Sequence, residues 1–476
     1  MSVIGQNDTP VLYRSTRGGV SGKGFGDVLL DGLAPDGGLF VPHRLPDAVP
    51  AVADRSFIEA APDLMWPFVA GSIDRSTLAE LVADAYSTFT HPEVIPVDHV
   101  GPGLLIAELF HGPTLAFKDL AMQLLGKLFE HQLTATGRHV TIIGATSGDT
   151  GAAAIEAFRG RSNIDVVILH PHERVSEVQR RQMTTAADDN VVNLAIDGTF
   201  DDCQNLVKAA LADDELSAAF DLTVVNSINW GRIVAQTAYV HWIAQRCATD
   251  GPIDLVVPTG NFGNVYAARV AQRMGAPVER LVVATNRNAI LAQFINEASM
   301  TIGPVQPSLS PSMDIQVPSN LERLLFELFD GDGTAVARSV QDLRSTGALA
   351  LDDATRAAVV ERWSAAAIGD DETLEIMAET HAETGRIVDP HTAVAIGAAR
   401  VTATRRRQVV LATAHPAKFP DTVEEATGRW PDLPPHLDDL YDLDEQYSIV
   451  PNELDAVARA MTNALGIRST ATVRRS

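Results

Sequence analysis

Between about residue 99 and residue 298, short apolar runs alternate with stretches whose apolar residues recur at helical spacing. This alternation constrains the fold more than any other feature of the chain. Strands are expected at 104–109, 139–143, 164–169, 191–196, 222–225, 253–257 and 280–284. Helices are expected at 120–131, 151–158, 173–183, 203–211, 232–247, 265–274 and 289–298. Such alternation means βαβ units and a mostly parallel sheet, so the chain reads as α/β. A loop rich in Pro and Ser (304–318) precedes helical patterns near 320–329, 335–344, 373–384 and 392–402. A last strand is expected at 408–413. At 476 residues the chain is too long for one ordinary core. Three domains are expected: 1–98, 99–235 and 236–476. The first offers turns and short strands around 13–18 and 34–42, then helical patterns near 56–61 and 75–86. It shows no obvious catalytic group and reads as a packing or capping module.

In open α/β sheets, ligands bind where strands end and helices begin. Two such loops stand out. Gly144-Ala145-Thr146-Ser147-Gly148-Asp149-Thr150-Gly151 is dense in small residues and hydroxyls and opens a helix. Exposed N–H groups, hydroxyls and a positive helix end suit a carboxylate or phosphate. The loop lacks the Lys-Ser/Thr of a nucleoside-triphosphate loop and the glycine spacing of a dinucleotide site. The plainer reading is a turn with Asp149 or Thr150 as a cap. The second loop, Pro258-Thr259-Gly260-Asn261-Phe262-Gly263-Asn264, also precedes a helix, and its glycines would let the backbone approach a phosphate.

Lys118 lies in His111-Gly112-Pro113-Thr114-Leu115-Ala116-Phe117-Lys118-Asp119, at the start of a helix. Taken alone, it reads as a surface lysine whose stem covers apolar neighbours. Set among Leu115, Ala116 and Phe117, it is expected to be partly desolvated, which favours the free amine. One such lysine with two anion loops suggests a phosphate-bearing aldehyde cofactor held by Lys118 as a Schiff base.

The formal charge of −24 argues against a nucleic-acid partner, because phosphate-backbone binding needs a basic surface. It does not exclude one small anion bound by local dipoles and a few cations. No apolar stretch is long enough to cross a bilayer, and no membrane partner is expected. The N-terminus has no basic segment followed by an apolar run, so it reads as no secretory signal. Cys203 and Cys247 offer neither a disulfide framework nor metal-ligand spacing. They read as helix-face core residues in a reducing cytoplasm, and no metal site is expected. Nothing in the sequence sets an oligomeric state.

HGPTLAFKD around Lys118, TSGDTGAA from Thr146 and GNFGN from Gly260 together resemble the long-form threonine synthase family of pyridoxal-phosphate enzymes. YRSTRG, APDGGLFVP, NSIN at 226–229, LSPSMDIQVPSNLERLLF at 309–326 and TAHPAKF at 413–419 extend the resemblance over nearly the whole chain. The resemblance implies the tryptophan-synthase β-like fold, fold type II, with the cofactor held between two α/β domains and an accessory N-terminal domain. It implies that Lys118 binds the cofactor aldehyde. Gly260, Asn261, Phe262, Gly263 and Asn264 would hold its phosphate, and Thr413 its pyridine nitrogen. Thr146, Ser147, Gly148, Asp149 and Thr150 would grip the substrate carboxylate, with Asp149 also near the cofactor 3-oxygen, where related enzymes often carry Asn. The substrate implied is O-phospho-L-homoserine, converted with water to L-threonine and phosphate. Arg232, Lys418 and Asn229 are candidates for the substrate phosphate, with Ser227 and His111 as lesser ones. His170, His172, His391 and His415 read as structural. Asp314 lies near the site or caps a turn. A phosphohomoserine lyase or a hydroxy-amino-acid dehydratase of the same fold would also need Lys118 and both loops.

Overall fold

A computed structural model describes residues 10–46 and 49–466. The first nine residues, part of the segment read as no secretory signal, lie outside them. The chain is α/β with parallel sheets, as expected, and divides into two compact units. One comprises residues up to Ala121 together with Ser227–Asp432; the other comprises Met122–Asn226 and the chain from Leu433. These borders differ from three consecutive domains. The N-terminal stretch is continuous with the first unit, and the C-terminal stretch completes the second.

The first unit is built on a six-stranded sheet. Its strand order is Trp363–Ala367, Val278–Thr285, Ile253–Pro258, Gln408–Ala412, Leu104–Glu108 and Val97–Gly101. Neighbours are parallel except the last pair, which is antiparallel. Ile106, Val256, Val282 and Val410 face a layer of small and branched residues from helix Pro390–Val401, among them Ala393, Val394 and Ile396. The N-terminal residues add a small antiparallel sheet of Ser21–Lys23, Tyr13–Ser15 and Phe40–Pro42. The Tyr13 hydroxyl donates to the Phe68 carbonyl at 2.6 Å and accepts from Trp230 Nε1 at 3.1 Å. Those buried bonds tie the sheet to helices Phe57–Val69 and Trp230–Cys247. Helix Phe57–Val69 starts at a Ser56/Glu59 capping box and runs on through Pro62 and Pro67, past its expected end at 61.

The second unit has a wholly parallel five-stranded sheet, ordered Ser448–Pro451, Val191–Asp197, Ile164–Pro171, Val140–Ala145 and Leu222–Thr223. Ile143, Val167 and Leu194 pack with Leu206 and Val207 of helix Phe200–Ala212 and with Val457 and Met461 of helix Leu454–Leu465.

In the two larger sheets, three strands escape the apolar pattern: Val97–Gly101, Trp363–Ala367 and Ser448–Pro451. All are edge strands, where one neighbour suffices and composition is loosely specified. Gln408–Ala412 is therefore not the last strand. The helix expected from 173 begins at Glu177, because Ser176 caps it and Glu173 is left-handed (φ 57°). Among the described residues, no helix is long and apolar enough to cross a membrane, and no cluster of metal-ligating side chains occurs. Cys203 and Cys247 are free and buried, and burial pushes their thiols up to about 12 and about 11.

Candidate active site

In the first unit, three adjacent strands deliver their following loops to the same sheet end: Leu104–Glu108, Gln408–Ala412 and Ile253–Pro258. The first loop leads to Lys118, the first residue of helix Lys118–Thr136. Leu115 takes a left-handed turn (φ 63°). The Thr114 N–H and hydroxyl donate to the two Asp119 oxygens at 2.8 and 2.6 Å, folding the turn over the helix start. Gly112 lies so close that a Cβ would collide with the Asp119 side chain. The second loop clamps this turn. Phe117 N–H donates to the Thr413 carbonyl at 2.8 Å, and His415 N–H to the Leu115 carbonyl at 3.0 Å. Lys118 is 8 % exposed, with Nζ 5.0 Å from the centre of the Phe117 ring. Thr413 is buried beside this turn.

Lys418, expected at the substrate phosphate, is fully buried, and its ammonium donates to the Thr114 carbonyl at 2.7 Å. It holds the Lys118 turn from beneath. His415 stands edge-on to Phe110, its Nδ1 accepts from Ala417 N–H, and burial pushes its pKa down to about 4. That is a structural histidine. His111 pairs with Glu108 at 2.7 Å, and Glu108 also meets Arg386.

The third loop, residues 259–262, enters helix Gly263–Arg273. Phe262 is left-handed (φ 63°) and stacks on Trp363 with ring centres 5.8 Å apart. Gly260 is a glycine for a reason other than ligand approach: a Cβ would collide with the Ser312 carbonyl. Ser312 belongs to the turn that Asp314 fixes. Asp314 Oδ1 accepts from Asn286 Nδ2 at 2.7 Å, Asn288 Nδ2 at 3.0 Å and Ser308 Oγ at 2.6 Å. His391 completes the support: Nδ1–H donates to Asp389 at 2.7 Å and Nε2 accepts from Ser312 N–H at 3.3 Å.

Asn320 joins two helix starts. Its Nδ2 donates to the carbonyls of Asn261 at 3.0 Å and Ser227 at 3.1 Å. The start of helix Trp230–Cys247 therefore lies beside the start of helix Gly263–Arg273. Asn229 caps the former: its Oδ1 accepts from Gly231 N–H and its Nδ2 donates to the Leu29 carbonyl. Its amide is engaged at both ends, so of the expected phosphate contacts it serves the helix start instead. Arg232 follows within the first turn, 3 % exposed; among the described residues it has no carboxylate partner, and its Nε and Nη1 are unpaired. Burial lowers its pKa to about 10. On the same helix face, Tyr239 OH donates to Asn264 Oδ1 at 2.6 Å, while buried Asn264 Nδ2 has no partner among the described residues. Two helix N-termini, a buried guanidinium and an amide donor are groups that could hold phosphate.

The second unit carries the other loop, between strand Val140–Ala145 and helix Asp149–Phe158. Thr146, expected at the substrate, organises the loop: Oγ1 accepts from the N–H groups of Gly148 and Gly151, both at 2.9 Å. Ser147 and Thr150 are half-buried at the helix start, and Asp149 is buried. Asp149 Oδ1 accepts from Gln179 Nε2 at 2.8 Å. His170 is buried in this unit, and desolvation pushes it down to about 4.

Sequence reasoning missed Gln179, Asn320, Tyr239 and Ser312. Each acts across more than twenty residues of chain, and none carries a local signal beyond an ordinary polar side chain.

Three family profiles match the chain: "Threonine synthase N terminus" over residues 12–86, "Pyridoxal-phosphate dependent enzyme" over 96–413 and "Threonine synthase, C-terminal" over 392–461. A threonine synthase of Pseudomonas aeruginosa is 47 % identical over 455 residues, covering 94 % of this chain and 97 % of that one. The crystal structure of a pyridoxal-phosphate-bound threonine synthase from Brucella melitensis superposes with a TM-score of 0.92 at 44 % identity, covering 95 % of this chain and 99 % of that one. The yeast threonine synthase structure gives 0.89 at 36 % identity, covering 97 % and 99 %.

Proposed function

The chain belongs to the threonine synthase family of pyridoxal-phosphate-dependent enzymes, and on that footing we propose a substrate and a set of residue roles. It is a lyase that uses pyridoxal phosphate, of the tryptophan-synthase β-like fold. The substrate is O-phospho-L-homoserine, and the products formed with water are L-threonine and phosphate. The reaction takes place in the cytoplasm, a placement that two free buried cysteines support.

When bound, pyridoxal phosphate supplies an aldehyde for the substrate amine and an electron sink for charge at the α-carbon. The residues present fit it. Lys118 is a buried lysine at a helix start, and the 260–264 loop offers a helix N-terminus with the unpaired Asn264 amide for the phosphate. The Thr413 hydroxyl would serve the ring nitrogen.

Lys118 would hold the cofactor through its aldehyde. Its amine, free once substrate is bound, would remove the proton from Cα and move protons among the reacting carbons. Protons leave Cα and Cβ, phosphate leaves Cγ, Cγ gains a proton and water adds at Cβ. Reprotonation at Cα completes threonine. Arg232 meets the phosphate that departs from Cγ, since a buried guanidinium without a carboxylate is a ready phosphate partner. Lys418 and Asn229 serve the substrate by fixing the Lys118 turn and the Arg232 helix start. Ser147, Gly148 and Thr150 receive the substrate carboxylate at the start of helix Asp149–Phe158, on a loop that Thr146 shapes. Asp149 would serve the cofactor 3-oxygen.

The observation that carries this reading is Lys118, buried at a helix start and clamped by the loop that bears Thr413. The test is a visible spectrum of the purified protein with O-phospho-L-homoserine, with threonine and phosphate assayed together. The expected result is a cofactor band that shifts with substrate, threonine and phosphate in equal amounts, and loss of both in Lys118→Ala. Phosphate with 2-oxobutyrate and no threonine would make it a phosphohomoserine lyase instead.

A further inference from the structure

Helix Glu177–Thr184 lies against the loop that holds Asp149, and one of its residues is spent wholly on that loop. Gln179 is buried. Its Nε2 donates to Asp149 Oδ1 at 2.8 Å. Its Oε1 accepts from the Ser176 hydroxyl at 3.0 Å, and Ser176 in turn caps the helix at the Gln179 N–H. The Ser176 hydroxyl thereby orients the amide so that its nitrogen faces the carboxylate. The loop is shaped to receive it. Gly148 has φ 143°, and a Cβ there would stand 2.5 Å from Gln179 Cδ, 2.6 Å from Oε1 and 2.7 Å from Nε2. Only glycine admits the amide at this place. One turn on, Gly151 leaves room for Thr146 and for Met183 of the same helix.

We propose that Gln179 is a positioning residue for the reaction: it acts through Asp149, holding that carboxylate and the 146–150 loop in their working geometry. The inference rests on the proposed role of that loop. Asp149 is a buried carboxylate, and a fixed donor against one of its oxygens sets its orientation. Gln179 supplies that donor from an element that is itself capped and tied down. On its other side, Arg180 pairs with Glu445 at 2.8 Å, and Thr184 donates to the same carboxylate at 2.7 Å. The helix cannot drift without breaking those bonds as well.

The test is a double-mutant cycle on the holoenzyme with Gln179→Leu, Asp149→Ala and the pair, read as kcat and KM separately. Gln179→Met is the near-isosteric control that fills the same space without a donor. A donor to a charged acceptor is worth enough that Gln179→Leu and Gln179→Met should each lower kcat/KM by about 10- to 100-fold. Cofactor content should stay near that of the parent, at least for Gln179→Met. In the Asp149→Ala background, Gln179→Leu should cost less than about threefold, because its target is gone. Additive losses, or full activity in Gln179→Met, would overturn the inference and leave Gln179 a packing residue. An Asp149→Ala variant with unchanged kinetics would instead show that the loop's proposed role is mistaken.

Discussion

The Lys418 ammonium donates to the Thr114 carbonyl at 2.7 Å, four residues upstream of Lys118 and fully out of water. A buried lysine on a backbone carbonyl fixes that carbonyl, and here it fixes the turn that presents the reactive amine. Lys418→Met keeps the stem and removes the donor. It should destabilise the protein by about 1–3 kcal/mol, the cost of a buried acceptor left unpaired. It should lower kcat more than it raises KM. Urea denaturation and steady-state kinetics check both. An unchanged midpoint with a raised KM alone would return Lys418 to the substrate phosphate.

Arg232 poses the opposite case, a buried charge with nothing to balance it. Its pKa is lowered to about 10, so the charged form opposes folding. The sign fixes the window: for a base depressed in the folded state, the cost is fully present below about pH 10 and fades as pH rises toward the ordinary arginine value. At neutral pH the whole cost stands. Arg232→Met should therefore raise the thermal midpoint of the cofactor-free protein while raising KM for O-phospho-L-homoserine by about tenfold or more. Calorimetry with kinetics reads the pair. Inorganic phosphate should stabilise the parent more than the variant.

Much of this was legible along the chain, for reasons that differ by residue. Strands such as Ile253–Pro258 and Ile164–Pro171 are buried along their whole length, so apart from Asp254, Asp165 and His170 they read as apolar runs. Trp363–Ala367 is Trp-Ser-Ala-Ala-Ala, a poor strand former recruited to the sheet edge by pairing with Val278–Thr285. The loops carrying Lys118, Gly148 and Gly260 announce themselves, because small and hydroxyl residues cluster where strands end. What each loop residue touches is set by tertiary packing. Gly260 faces the Ser312 carbonyl, fifty residues on, and Asn229 has its amide tied to Leu29. Spacing carries no trace of either.

Gly260→Ala turns that packing into a measurement. The added methyl would strike the Ser312 carbonyl, which is backbone and held by the Asp314 network, so the loop must yield instead. Overpacking of this kind costs about 1–3 kcal/mol. The shift should appear as weaker retention of pyridoxal phosphate on dialysis, with the second unit's fold unaffected. Gly263→Ala, whose nearest contact is the Asn320 amide nitrogen at 3.3 Å rather than a closer backbone carbonyl, should be milder. Equal retention by both variants and the parent would remove the Ser312 contact from the account.

Two histidines predict how the protein meets acid. His170 and His415 are each pushed down to about 4 by burial, so both are neutral in the folded chain where an unfolded chain would already be protonated. Their contribution is present above the ordinary histidine value of about 6.5 and is lost as pH falls from there toward 4. Across that window the unfolded state gains protons that the folded state refuses, and stability declines. Asp314 and Glu156 run the other way, since burial raises both carboxyls. His241, lowered by burial as well, adds to the two histidines, so the net slope should be downward toward acid. Unfolding free energies measured at closely spaced pH between 6.5 and 4 should show this decline, and His170→Gln combined with His415→Gln should flatten it. The parent and the double variant falling in parallel would assign the acid limb to other groups.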